Sequence, residues 1–293
     1  MAYIWGFIVL AIAGSTLIPA YIALYGISSL KFIQTKYIAA LGLGFAIWFF
    51  FDTMGDANEI DVNAALYPIS YFGGWYHIAL IATFAGGIAA LAIFDHFAGI
   101  RPSQTEGVED APKVAKYLVF VPIAIAAVMG IHSLGEGWSY GATVSFVPGS
   151  PPPMNLLLDA FSPGISLPEA YSPLISYPLH KLFEAGIIAC TYTVFIQRND
   201  AVPKAKWHLP VLGLLFGLTS VIGAALGYYF TQVDVTFFYA FGVTAALYAF
   251  IRLGEGITKG RRFAGIFPAY LGAKVFVAMG VGFFLLYFAA LLH

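Results

Sequence analysis

Charge is what this chain has least of. Only 10% of its 293 residues are Asp, Glu, Lys or Arg, where a soluble domain carries about 25%, so a water-facing surface cannot be built from it. Cysteine is nearly missing as well: Cys190 alone excludes an internal disulfide framework and a CxxC metal knuckle. The net charge of −1 leaves no basic surface for nucleic acid. What is abundant is apolar, with 60% hydrophobic and 17% aromatic residues and a mean hydropathy of +0.83. The composition is that of an all-α, polytopic membrane protein whose chemistry rests on a few His, Asp, Glu and Lys side chains inside the lipid span.

Crossing about 30 Å of hydrocarbon takes roughly 20 mostly apolar residues. Reading between the charge clusters gives eight such stretches, near 4–29, 37–56, 72–97, 117–147, 170–197, 207–230, 235–252 and 264–291. Together they make one transmembrane domain over 1–293, a bundle of eight helices. The first span has no basic residue ahead of it and outruns a signal-peptide core, so it reads as retained.

Lysine and arginine are absent from every second loop. Lys31 and Lys36 follow span one, and Arg101, Lys113 and Lys116 follow span three. Arg198, Lys204 and Lys206 follow span five, and Arg252, Lys259, Arg261 and Arg262 follow span seven. The opposite loops hold Glu59, Asp61, Asp159 and Asp234 and no basic residue. The positive-inside rule makes the basic loops cytoplasmic and puts both termini outside. The segment 148–169, with Pro148, Pro151, Pro152, Pro153, Pro163 and Pro168, is expected to pack as a rigid outer cap. Tyr171, Pro173 and Pro178 are expected to make the start of span five irregular.

Ionisable residues within the spans are Asp52, Asp56, His77, Asp95, His96, His132, Glu136, His180, Lys181, Glu184 and Lys274. Unpaired in lipid each is costly, so they should face one another across an interior. His77, Asp95 and His96 lie near the interfaces, where solvation accounts for them. The central set is patterned. HSLGEGWSYGAT (132–143) and HKLFEAGIIACT (180–191) both read His-x-Leu-x-Glu followed by a small residue, an internal repeat of a site. Residues four apart share a helix face, so each helix presents an imidazole one turn from a carboxylate.

Depth brings the repeats together. At 1.5 Å per residue, His132 and Glu136 lie about 24 and 30 Å from Lys116, and His180 and Glu184 about 27 and 21 Å from Arg198 on an antiparallel helix. Asp52 and Asp56 lie about 24 and 30 Å from Lys36 by the same ruler. Gly135, Gly137, Gly141, Ala185 and Gly186 flank the motifs and permit close backbone approach. A His/carboxylate set without thiolate suits Zn²⁺, Fe²⁺ or Mn²⁺. The candidate metal ligands are His132, Glu136, His180 and Glu184, with Asp52 and Asp56 as entry or auxiliary carboxylates. The bland alternative is that Glu136, Glu184 and Lys181 pair with one another while the histidines hydrogen-bond across the helices.

HSLGEG (132–137) resembles the helix-four signature His-Asn-x-x-Glu-Gly of the ZIP family of divalent metal transporters, keeping His132, Glu136 and Gly137. HKLFEA (180–185) resembles the helix-five counterpart in His180 and Glu184. The resemblance implies eight helices with both termini outside and a Zn²⁺, Fe²⁺ or Mn²⁺ site on a transport path into the cytoplasm. Ser133 departs from the usual Asn, Gly135 and Phe183 from a kinking Pro, and Lys181 from an acid that would serve a second metal.

The function expected is therefore divalent metal transport, with the metal ion as substrate, membrane lipid as surroundings and assembly into a homo-oligomer left open. The rival readings are a haem or quinone redox protein with His132 and His180 as axial ligands, and an intramembrane metal-dependent hydrolase or oxygenase. A retinal Schiff base on Lys274 with Asp52 as counter-ion and a structural subunit complete the list. Cys190 reads as a buried small hydrophobe.

Overall fold

A backbone in hydrocarbon has to satisfy its hydrogen bonds within its own segment, which is why long apolar runs become helices. The structure, a computed structural model, describes residues 2–66, 76–97, 111–143, 167–198, 200, 202–230, 235–258 and 273–291. Among them are eight helices and no strand: α1 (Ala2–Ser29), α2 (Thr35–Leu66), α3 (Tyr76–Phe97), α4 (Ala111–Thr143), α5 (Leu167–Tyr192), α6 (His208–Tyr229), α7 (Thr236–Thr258) and α8 (Ala273–Leu291). One helix falls on each apolar run of the sequence.

Among the described residues five stretches are long and apolar enough to cross a membrane: Thr35–Met54, Leu118–Ser139, Tyr177–Gln197, His208–Tyr229 and Thr236–Gly254. The distribution of side chains is that of an integral membrane protein. Phe276, Val277, Phe284 and Phe288 of α8 and Leu214, Leu218 and Ile222 of α6 point outward, whereas His132, His180, Lys181 and Glu184 are buried. Large exposed apolar stripes of this kind are not left facing water.

The helices pack as two groups. In the first, α4 packs against α6, and α1 against α5 and α6; in the second, α2 packs against α7 and α8, and α3 against α7. The seam between them is made mainly by α4 on α7 and α2 on α5. Most of this packing is preserved when α1 is exchanged with α6, α2 with α7, α3 with α8 and α4 with α5: the pair α1–α5 becomes α6–α4, and α2–α5 becomes α7–α4. The exchanged pair α1 and α6 runs antiparallel, as Thr16 meets Gly217 while Tyr21 meets Pro210.

Small residues set the closest approach, on a different partner from the one the motif suggests. A Cβ at Gly130, Gly137 or Gly141 of α4 would collide with the backbone of Leu215, Ser220 or Ala224, and one at Gly223 or Gly227 of α6 with Leu134 or Trp138. The glycines close α4 onto α6 in parallel and leave the gap between α4 and α5 to polar side chains. Gly186 of α5 meets the Phe45 ring of α2.

Several expectations are corrected. α2 continues to Leu66 instead of ending near 56, because Asp and Glu end an apolar run without ending a helix. α4 begins at Ala111, so Lys113 and Lys116 stand on its first turns. The start of α5 is regular helix through Pro173 and Pro178. The irregularity lies at its other end, where Thr193–Gln197 forms a π-helical turn and the Arg198 N–H donates to Thr193 O at 3.0 Å. Arg252 lies in α7, buried, with its guanidinium 5.3 Å from the Tyr248 ring, and is not a loop residue. Lys274 stands exposed at the second position of α8, at a helix end, and has no place in an interior ion pair. Cys190 is free and buried, its Cβ filling the space beside Gly42. The side chains of Asp56, His77, Asp95 and His96, and the segment 148–166, lie outside the described residues.

Candidate metal centre

Three helices deliver the polar side chains to one level. α4 supplies His132 and Glu136, α5 supplies His180, Lys181 and Glu184, and α2 supplies Asp52. Because α4 and α5 run antiparallel, each histidine faces the other helix's carboxylate as well as its own. His132 Nε2 lies 3.4 Å from Glu136 Oε1 and 3.5 Å from Glu184 Oε1. His180 Nε2 lies 3.1 Å from Glu184 Oε1 and 3.7 Å from Glu136 Oε1. Asp52 Oδ2 is 3.7 Å from His180 Nε2 at the edge of the cluster.

The two edges from His132 Nε2 suit a common metal, whereas His180 lies outside that group and its Nε2 is hydrogen-bonded to Glu184 Oε1 at 3.1 Å. A tetrahedral ion with ligands at about 2.0–2.1 Å sets them about 3.3–3.4 Å apart. The ligand atoms of His132, Glu136 and Glu184 all lie within 4.8 Å of one another, so this buried group could hold a metal ion. Among the described residues His132 Nδ1 has no hydrogen-bond partner although the side chain is 1% exposed, and Nε2 meets only the two carboxylate oxygens. An imidazole nitrogen facing two carboxylate oxygens is placed as a metal ligand beside anionic ligands would be.

The second oxygens of the two glutamates face the other way. Glu184 Oε2 accepts from Lys181 Nζ at 2.6 Å, Glu136 Oε2 pairs with the same ammonium, and Nζ also donates to Ser133 Oγ at 3.2 Å. Lys181 is fully buried, its Nζ 5.6 Å from the Tyr177 ring centroid and 5.3 Å from that of Phe216. Part of the bland alternative is thus present: both carboxylates do pair with Lys181. The pairing uses one oxygen of each and leaves the other to the imidazoles.

Residues that motif reasoning does not find shape the pocket. His132 stands edge-on to Phe49, with ring centroids 4.9 Å apart, and 5.4 Å from the Tyr239 ring. Gly242 makes room for it, since a Cβ there would lie 2.6 Å from His132 Nδ1. Ser220 donates to Ser133 O at 2.9 Å and meets the Tyr177 hydroxyl at 3.0 Å, fixing α4, α5 and α6 beside Lys181. Only Ser133 among these carried a signal, as the departure from Asn.

Fold and site together define an integral membrane protein of apolar helices with a buried His/Glu group at the seam of two helix sets. No protein-family model, no curated protein and no solved structure matches the chain.

Proposed function

We propose that the protein carries a divalent metal ion, Zn²⁺ or Fe²⁺ in the first instance, across the membrane through the His132/Glu136/His180/Glu184 centre. The observation that supports the reading best is His132: a buried imidazole whose Nε2 faces two carboxylate oxygens, the three ligand atoms all within 4.8 Å of one another. The ZIP-like motifs lead to the same expectation.

In this reading all eight helices cross the bilayer and both termini lie outside. The ion enters from the outer side past Asp52, which is a quarter exposed, and exchanges water for imidazole and carboxylate. The ligands sit on α4 and α5, while α2 and α7 supply the facing wall of Asp52, Phe49, Tyr239 and Gly242. A displacement of the α1/α4/α5/α6 group against the α2/α3/α7/α8 group turns the bound ion toward the inner side, where protonation of the carboxylates releases it.

The test has two halves. Metal content of the purified protein is measured beside Glu136→Ala and His180→Ala, with retained stoichiometry in both variants refuting the centre. Uptake of ⁶⁵Zn²⁺ or Fe²⁺ into proteoliposomes is measured in parallel, and binding without uptake leaves an intramembrane metal enzyme.

A further inference from the structure

We infer that Lys181 stands where a second metal ion would stand in a carboxylate-bridged pair, so that the centre takes one divalent cation and not two. The inference rests on the metal-centre reading above and adds the number of ions and the residue that sets it. Two carboxylates that bridge two cations use one oxygen of each for either cation. Glu136 and Glu184 are divided in that way: both Oε1 atoms face His132 and His180, and both Oε2 atoms face one point on the opposite side. Lys181 Nζ occupies that point.

The ammonium is held as an ion in a site is held. Its Nζ donates to Glu184 Oε2 and Ser133 Oγ and is ion-paired with Glu136 Oε2. Its charge lies among the Tyr177 and Phe216 rings, and the side chain has no exposed surface from which water could displace it. The charges agree with a single ion. Three carboxylates, Asp52, Glu136 and Glu184, set against one ammonium leave two negative charges, which one divalent cation neutralises. A second divalent ion would leave the interior with uncompensated positive charge, which a low-dielectric interior strongly disfavours.

The experiment is a count of ions on the full chain in detergent, titrated with Zn²⁺, desalted and analysed by plasma mass spectrometry. One Zn²⁺ per chain is expected for the wild type and two for Lys181→Glu, in which a fourth carboxylate replaces the ammonium. Two Zn²⁺ on the wild type, or one on Lys181→Glu bound as tightly as by the wild type, overturns the inference while leaving the metal centre standing. No Zn²⁺ on the wild type overturns both. Lys181→Gln keeps the question open to a stability measurement if the Glu variant does not fold. Its paired Oε2 atoms lack a counter-ion, so Zn²⁺ should raise its melting temperature more than that of the wild type, and an equal rise counts against the inference.

Discussion

Glu136 and Glu184 face each other across the gap between α4 and α5, each with Oε1 toward the imidazoles and Oε2 on the Lys181 ammonium. Each carboxylate therefore has two different jobs, and substitutions can separate them.

Gly242→Ala should weaken the centre without unfolding the bundle. The added Cβ would stand 2.6 Å from His132 Nδ1 and 3.1 Å from Thr53 Cγ2, forcing the ring away from the two Oε1 atoms. Loss of a supporting contact of this kind costs about 10–100-fold in metal affinity. Calorimetric titration with Zn²⁺ measures it, and an unchanged Kd alongside an unchanged melting temperature counts against the pocket described.

Asp52→Asn should leave one Zn²⁺ bound, with affinity lowered by a smaller factor than in Glu184→Gln. Asp52 approaches His180 at 3.7 Å and is a quarter exposed, whereas Glu184 is fully buried between both histidines. Equal losses in the two variants would place Asp52 in the inner coordination shell.

Glycines predicted to matter can be compared with one that should not. Gly137→Ala and Gly223→Ala drive a Cβ into the backbone of the facing helix, and overpacking of this sort costs about 1–3 kcal/mol. Gly280 has nothing within 4 Å of its Cβ position, so Gly280→Ala should be neutral or stabilising by up to about 1 kcal/mol through helix propensity. Thermal unfolding in detergent ranks the three, and a Gly280→Ala loss as large as that of Gly137→Ala would contradict the packing.

Orientation is testable by labelling. Single cysteines at Lys36 and Lys204, in a chain carrying Cys190→Ala, should react with a membrane-impermeant maleimide only after the cells are opened. A cysteine at Phe230, at the far end of α6 and 58% exposed, should react in intact cells. The reverse pattern inverts the topology.

Much of the centre is legible in the sequence because its signals are local. A histidine four residues from a glutamate stays on one helix face whatever the tertiary structure, and counting 1.5 Å per residue from Lys116, Arg198 and Lys36 levels Glu136, His180 and Asp52. Helix identity follows from hydropathy in the same way. Partnership does not. Gly137 and Gly141 announce a close approach without naming the helix approached, and the partner is α6, which carries no ionisable residue of the site. Phe49, Tyr239 and Gly242 are ordinary residues of apolar helices, and only the seam between α4, α2 and α7 gives them a role. The prolines of α5 do not break it, since within a membrane bundle the carbonyls a proline frees can be satisfied by neighbouring groups.

The glycine contacts between α4 and α6 also fix how far one helix can travel along the other. At Gly130, Gly137 and Gly141 on one side and Gly223 and Gly227 on the other, backbone lies directly against backbone. A slip by a single residue would push a side chain into each notch at once. The two helices are therefore indexed like a toothed rack, with one allowed register. His132 and Glu136 inherit that register from a helix that touches no ligand, and any movement of theirs must take α6 along.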